Sequence, residues 1–124
     1  MKTIFFLIFL LFSANSFAVN WKKVAENEIA NYFVDFDSIK NHDGLVHYSD
    51  LVNFVKPFKG DSSAISKYEV DCNEEKQTWL SLTTYSQPMG KGKINSKSTP
   101  NEVIYPKSNT IYFFLLKNVC NYKN

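Results

Sequence analysis

Arginine is absent from this chain: all 14 of its basic residues are lysines. Arginine's planar fork is the usual bidentate partner of phosphate and carboxylate, so its absence argues against a dedicated phosphate or nucleotide site. A low-GC codon bias is the simpler account of the same absence. Charge of either sign is scarce in excess: 14 basic residues face 12 acidic ones, for a formal net charge of +2. That balance gives no reason to expect nucleic acid as a partner. Histidine and cysteine number two each, too few for a Cys/His metal cluster, and no cofactor is implied. Gly90-Lys91-Gly92-Lys93 lacks the GxxxxGK[ST] spacing of a phosphate loop, since Ile94 follows. Internal repeats and low-complexity segments are not evident.

The longest apolar run, Ile4 to Phe12, is also short. It falls below the roughly 18–20 residues that a spanning helix needs. It follows Met1-Lys2 and precedes Ser16-Phe17-Ala18, with small residues at −3 and −1 of a cut after Ala18. This is the pattern of a secretory signal peptide. We therefore read residues 1–18 as a cleaved signal and residues 19–124 as one domain, soluble in the periplasm, secreted, or at the cell surface of a bacterium. No cysteine precedes Cys72, so no lipid-attachment site and no membrane anchor are expected. Cleavage removes Lys2 and no acid, leaving a formal charge of +1.

Six Phe, seven Tyr and two Trp lie beyond residue 18. These rings fill a core and favour strands. In an exported chain an even cysteine count reads as a disulfide, and Cys72 and Cys120 allow one pairing. A loop of about 48 residues closed this way stabilises by roughly 4 kcal/mol. A pair of free thiols, or one metal ligand each, is the alternative.

Period-2 alternation marks the strands. Residues 29–36 place Ala30, Tyr32, Val34 and Phe36 on one face. From Leu45 to Val55, Val46, Tyr48, Val52 and Phe54 share a face that Asp50 interrupts, which predicts a bulge or two short strands. Residues 64–72 alternate most clearly and send Tyr68, Val70 and Cys72 inward. Residues 77–86 are strand-prone in composition, and 103–105 allow a short strand. The polar stretch from Pro88 to Pro100 reads as a mobile loop or long hairpin tip. Residues 109–116 have strand-like composition, yet Ile111, Tyr112, Leu115, Leu116 and Val119 form a stripe at helical spacing. Ser108 is placed to N-cap a helix, and Lys117 and Lys123 suit its C-terminal end. We read this segment as a helix whose Cys120 pins it to the Cys72 strand.

These landmarks resemble the surface-adhesin protein E-like family of small bacterial exported domains. The matching pieces are Trp21, Tyr32-Phe33-Val34-Asp35 with Ser38-Ile39, and Tyr68-Glu69-Val70-Asp71-Cys72. Tyr85 with Gly90-Lys91-Gly92, then Tyr105-Pro106-Lys107-Ser108 leading to Val119-Cys120, complete the order. The resemblance implies an α+β domain: an antiparallel sheet of about five or six strands and a C-terminal helix tied to it by one disulfide. The family name implies adhesion to host proteins.

Convergent catalytic chemistry is missing. His42 and His47 are an odd distance apart, so on one strand they would face opposite ways. Asp35 and Asp37 could share a face, but an Asp-capped turn explains them better. His47 and Ser49 lie outside any nucleophile elbow. What remains is a basic segment, Lys91, Lys93 and Lys97, with no acidic residue between Gln87 and Asn101. It suits a protein or anionic glycan partner, with Phe54 and Phe58 as apolar anchors. The leading reading is a non-enzymatic extracytoplasmic binding module. A periplasmic accessory protein without a host ligand is the runner-up, and a small hydrolase a distant third. N-terminal sequencing of the exported protein should find Val19 first; retention of residues 1–18 would overturn the signal assignment.

Overall fold

The computed structural model describes residues 19–122; residues 1–18, expected to be a signal, and residues 123–124, with the expected helix-end Lys123, lie outside them. Eight antiparallel strands build one sheet: β1 Trp21–Glu26, β2 Ala30–Asp35, β3 Lys40–His42, β4 Leu45–Phe58, β5 Asp61–Asp71, β6 Lys76–Gln87, β7 Lys91–Ser98 and β8 Glu102–Ile104. Among the described residues one α-helix, α1, runs over Ile111–Asn121. Along the sheet the order is β1-β2-β4-β5-β6-β7, with β3 beside β4 and β8 beside β6. Long β4 is thus flanked by two shorter strands on one side: β2 pairs with residues 50–54 and β3 with residues 45–47. Long β6 is flanked in the same way by β7 and β8. Sequence alternation gave no sign of β1 or β3, which lack a buried row.

Tight turns set the register. Asp43-Gly44 and Lys59-Gly60 have φ of 54° and 85°, and of 52° and 85°. Both central residues are left-handed, as a two-residue I′ hairpin requires. Residues 42 and 45 pair across the first turn and 58 and 61 across the second.

The helix lies on the face that carries Val34, Val46, Tyr48, Tyr68 and Val70, and buries Leu115, Leu116 and Val119 against them. The helical stripe read from the sequence is therefore the contact surface. Its cap differs from expectation. Thr110, not Ser108, is the N-cap, and its Oγ1 accepts the Phe113 N–H at 3.2 Å. The Lys107 carbonyl takes both the Thr110 N–H and its hydroxyl, at 3.0 and 2.7 Å. This extra turn postpones the helix start to Ile111. Lys117 reaches the β5–β6 turn and pairs with Glu75 at 3.0 Å. Among the described residues no helix is long and apolar enough to cross a membrane.

The bulge expected at Asp50 is not there. β4 pairs with β5 in unbroken register from Leu45 to Asn53, and its irregularity falls between Asn53 and Phe58. The alternation looks broken because a carboxylate occupies a core position: Asp50 faces the helix side, opposite Ser66 and Val34, with no exposed surface. A bulge instead lies in β6, where Lys67 pairs with Ser81 but Tyr68 with Trp79. Leu80 is the extra residue, and it lets Gln77 and Trp79 share the helix side with Val70 and Tyr68.

Neither Asp50 carboxylate oxygen nor the Tyr48 hydroxyl has a well-formed hydrogen bond. Burial pushes the Asp50 carboxyl up to about 8, with the Ser66 backbone N–H pulling weakly the other way. Burial, with Asp50 nearby, also raises the phenols of Tyr48, Tyr68 and Tyr112.

Two predictions follow from this core. The folded state binds a proton at Asp50 that the unfolded state releases near its ordinary value of 3.8, so stability must fall as pH rises from about 4 to about 8. Each pH unit inside that window costs at most about 1.4 kcal/mol. In urea melts, Asp50→Asn should lack this slope and exceed the parent in stability at pH 8. Separately, Cys72 and Cys120 are joined, with Cys72 at the end of β5 and Cys120 in the last turn of α1. Reducing a bond that closes a loop of this length removes about 4 kcal/mol, and the melting temperature should drop by about 15–30 °C for a domain of this size.

Candidate functional site

Three turns crowd one end of the sheet: residues 27–29 between β1 and β2, Lys59-Gly60 between β4 and β5, and a 3-10 turn at Pro88–Gly90 between β6 and β7. The disulfide, Asp43-Gly44 and residues 72–75 lie at the opposite end. Beyond Asn53 the β4 strand loses its register with β5, and its side chains turn outward. Val55 is 58% exposed and Phe58 60%, and Ile29 on the neighbouring hairpin is 68% exposed. The backbone ties them, since the Val55 N–H donates to the Ile29 carbonyl at 2.9 Å. Phe54 lies beside Phe58 with ring centroids 6.4 Å apart, and Lys59 Nζ sits 5.4 Å over the Phe58 ring. Lys56 and Lys59 flank the rings. Nothing inside the domain covers these apolar groups.

The turn that leads into the basic segment is anchored by hydrogen bonds. The Met89 N–H donates to Asn53 Oδ1 at 2.9 Å, and the Gly90 N–H to Ser63 Oγ at 2.9 Å. Ser63 Oγ donates in turn to the Gln87 carbonyl at 2.7 Å. The turn thereby folds onto Leu51 and Ile65, on the face away from the helix. Gly90 is required there: its φ is 67°, and a Cβ would sit 2.8 Å from Ile65 Cδ1. Residues 91–98 then form β7, an edge strand, in place of the expected loop. Polar composition concealed it, because every β7 residue is exposed and no alternation is needed. Lys91 and Lys97 register against Gln87 and Thr83 on the face away from α1. The Lys93 N–H donates to Ser86 Oγ at 2.9 Å, within one of two irregularities in the pairing. Asn95 joins β7 to the aromatic hairpin through the Gly60 carbonyl at 3.2 Å and Asp61 Oδ1 at 2.8 Å.

Asn95 thus sets β7 beside the β4–β5 hairpin that carries Phe58, while Phe54 alternates with Val52 on the helix side and Lys91 and Lys97 face the other way. Sequence reading missed Ile29, Val55, Lys56 and Lys59 as members. Pro57 followed by Lys59-Gly60 was the available signal: a strand running into a tight turn leaves its last apolar residues uncovered. The remaining candidates stay apart. His42 is on β3 and His47 on β4, where His47 Nε2 meets Glu69 Oε2 at 2.9 Å in a half-exposed pair. Asp35 caps the 3-10 turn at Phe36–Ser38 by accepting the Asp37 N–H at 3.2 Å. Among the described residues no three His, Cys, Asp or Glu side chains gather to hold a metal ion.

Solved structures of Haemophilus influenzae protein E share this fold. The selenomethionine form aligns at a TM-score of 0.64 and 16% identity, covering 86% of this chain and 91% of that one. Crystal form II gives 0.64 at 17% identity, covering 85% and 90%. Protein E from non-typeable Haemophilus influenzae gives 0.61 at 17%, covering 86% and 78%. No curated protein sequence matches the chain. The profile of one family, Surface-adhesin protein E, matches residues 21–121, the whole span from β1 to the last turn of α1. The chain belongs to the surface-adhesin protein E family.

Proposed function

We propose that this chain is a non-enzymatic, extracytoplasmic, adhesin-like binding module that grips a host or envelope protein with its hairpin end and the basic β7 edge. One observation carries the reading: Phe58, Val55 and Ile29 are more than half exposed on adjoining hairpins, and Asn95 ties the Phe58 hairpin to a strand whose only charges are Lys91, Lys93 and Lys97. Exposed aromatic anchors next to charge are what recognition surfaces present. Membership of a surface-adhesin family supports the same reading. The lysines steer and the rings anchor. Exposed ion pairs are worth only about 0–1 kcal/mol each, so three lysines supply at most about 3 kcal/mol, roughly a hundredfold in affinity.

Beads coated with the exported protein, applied to epithelial monolayers, test this. Lys91→Gln, Lys93→Gln and Lys97→Gln together should cut adherence about tenfold, and raised salt should mimic the loss. Phe58→Ser should weaken adherence at every salt concentration. Loss of adherence after heparinase treatment of the monolayer would replace the protein partner by an anionic glycan. Equal adherence by all variants would remove the site. Labelling of intact cells decides display: a protein unreachable from outside is a periplasmic accessory component.

A further inference from the structure

A second feature lies away from the hairpin end, on the helix side of the sheet. There β8 lies beside β6 in the sheet, and the connection from it to α1 leaves space over the Gln77–Trp79 end of β6 unfilled. A cavity of about 440 Å³ remains, within the size range of small-molecule sites. Its floor is sheet: Gln77 and Tyr68 are 1% and 3% exposed. Its walls are rings. Trp79 stacks beside Tyr68 with centroids 6.4 Å apart and planes 20° from parallel, and Tyr112 inclines to Tyr68 at 6.0 Å and 58°. Its rim is Lys107 and Thr110, both exposed.

The polar groups are distributed by depth. At the floor, Gln77 Oε1 is buried with no hydrogen-bond partner, and so is the Trp79 indole N–H. Native interiors rarely leave such groups unmatched, and each calls for a partner. The last torsion of a Gln side chain is soft, so this acceptor turns toward the cavity at little cost. At the rim, Lys107 supplies a positive charge. Beside it is the N-terminus of an 11-residue helix with no acidic residue in its first turn. The N–H groups of Ile111 and Tyr112 have no carbonyl ahead of them within the helix, and the helix end favours an anion. No acidic side chain lines the cavity.

We propose that this cavity binds a small aromatic carboxylate carrying a hydroxyl or N–H group at the far end of its ring. The ring lies among Trp79, Tyr68 and Tyr112. The carboxylate faces outward to Lys107 and the helix N-terminus, and the ring substituent donates inward to Gln77 Oε1. A cation is disfavoured by Lys107, and a plain hydrocarbon leaves the floor unmatched.

The test follows the Trp79 indole N–H resonance of the exported protein during titration with three probes. 4-Hydroxyphenylacetate should shift it saturably. Phenylacetate, which lacks the hydroxyl, should bind about fivefold more weakly, one neutral hydrogen bond's worth. Tyramine, with an ammonium in place of the carboxylate, should not bind. Lys107→Gln should weaken the first probe about threefold, the value of one exposed charge contact, and Gln77→Leu should abolish the preference for the hydroxyl. The proposal is overturned if 4-hydroxyphenylacetate gives no saturable shift, if tyramine binds as well, or if the hydroxyl makes no difference to the unmodified protein. These three results need no variant, so a poorly folding Gln77→Leu leaves the test intact.

Discussion

A single short helix has to seal one face of a wide sheet. Eleven residues of α-helix reach about 16 Å, while the six strands of the main path span about 24 Å at their usual separation. The helix cannot cover that face, and much of the architecture answers the shortfall. The best-packed core sits where Leu115, Leu116 and Val119 meet Val46, Tyr48, Tyr68 and Val70. The disulfide holds the last turn of the helix to the end of β5. Where the first turn of the helix meets the sheet, large rings and an extended connection bridge the gap, and an aromatic-walled cavity is left.

The same shortfall explains which parts of the fold were legible in the sequence. β2, β4 and β5 bury a continuous row on the helix face, so Ala30 and Val34, Val46 and Tyr48, and Tyr68 and Val70 repeat at period two. The helix was legible because Leu115, Leu116 and Val119 recur at its own period. β1, β3 and β7 have little or nothing to bury and leave no periodic trace. β6 has a buried face, but the extra residue Leu80 moves its row from odd to even positions, so no window shows a clean alternation. Asp50 misled in the opposite way: a correct alternation looked broken because the residue at a core position is acidic. Of the candidate contact surface, the lysines were readable as a charge pattern. Ile29 and Val55 were not, since their exposure depends on hairpins that end beyond their neighbours.

The two ends of the sheet differ in construction. One end carries the covalent staple and the Asp43-Gly44 turn. The other gathers three turns, uncovered apolar side chains and a glycine that the backbone cannot replace. The covalent staple and the proposed contact surface are thus separated by the length of the long strands. Side chains at the contact end are free of the core's packing requirements.

β7 has one further consequence, concerning self-association. An uncovered strand edge is a template on which another copy can add, and growth by repeated addition leads to fibres. β7 is such an edge, eight residues long and exposed throughout. Two interruptions in its pairing and three like-charged side chains make a second β7 a poor match for the first. The lysines therefore carry a burden that would persist without any ligand. Replacing them with apolar residues would expose a sticky margin, and the first symptom would be aggregation rather than a change in what the protein binds.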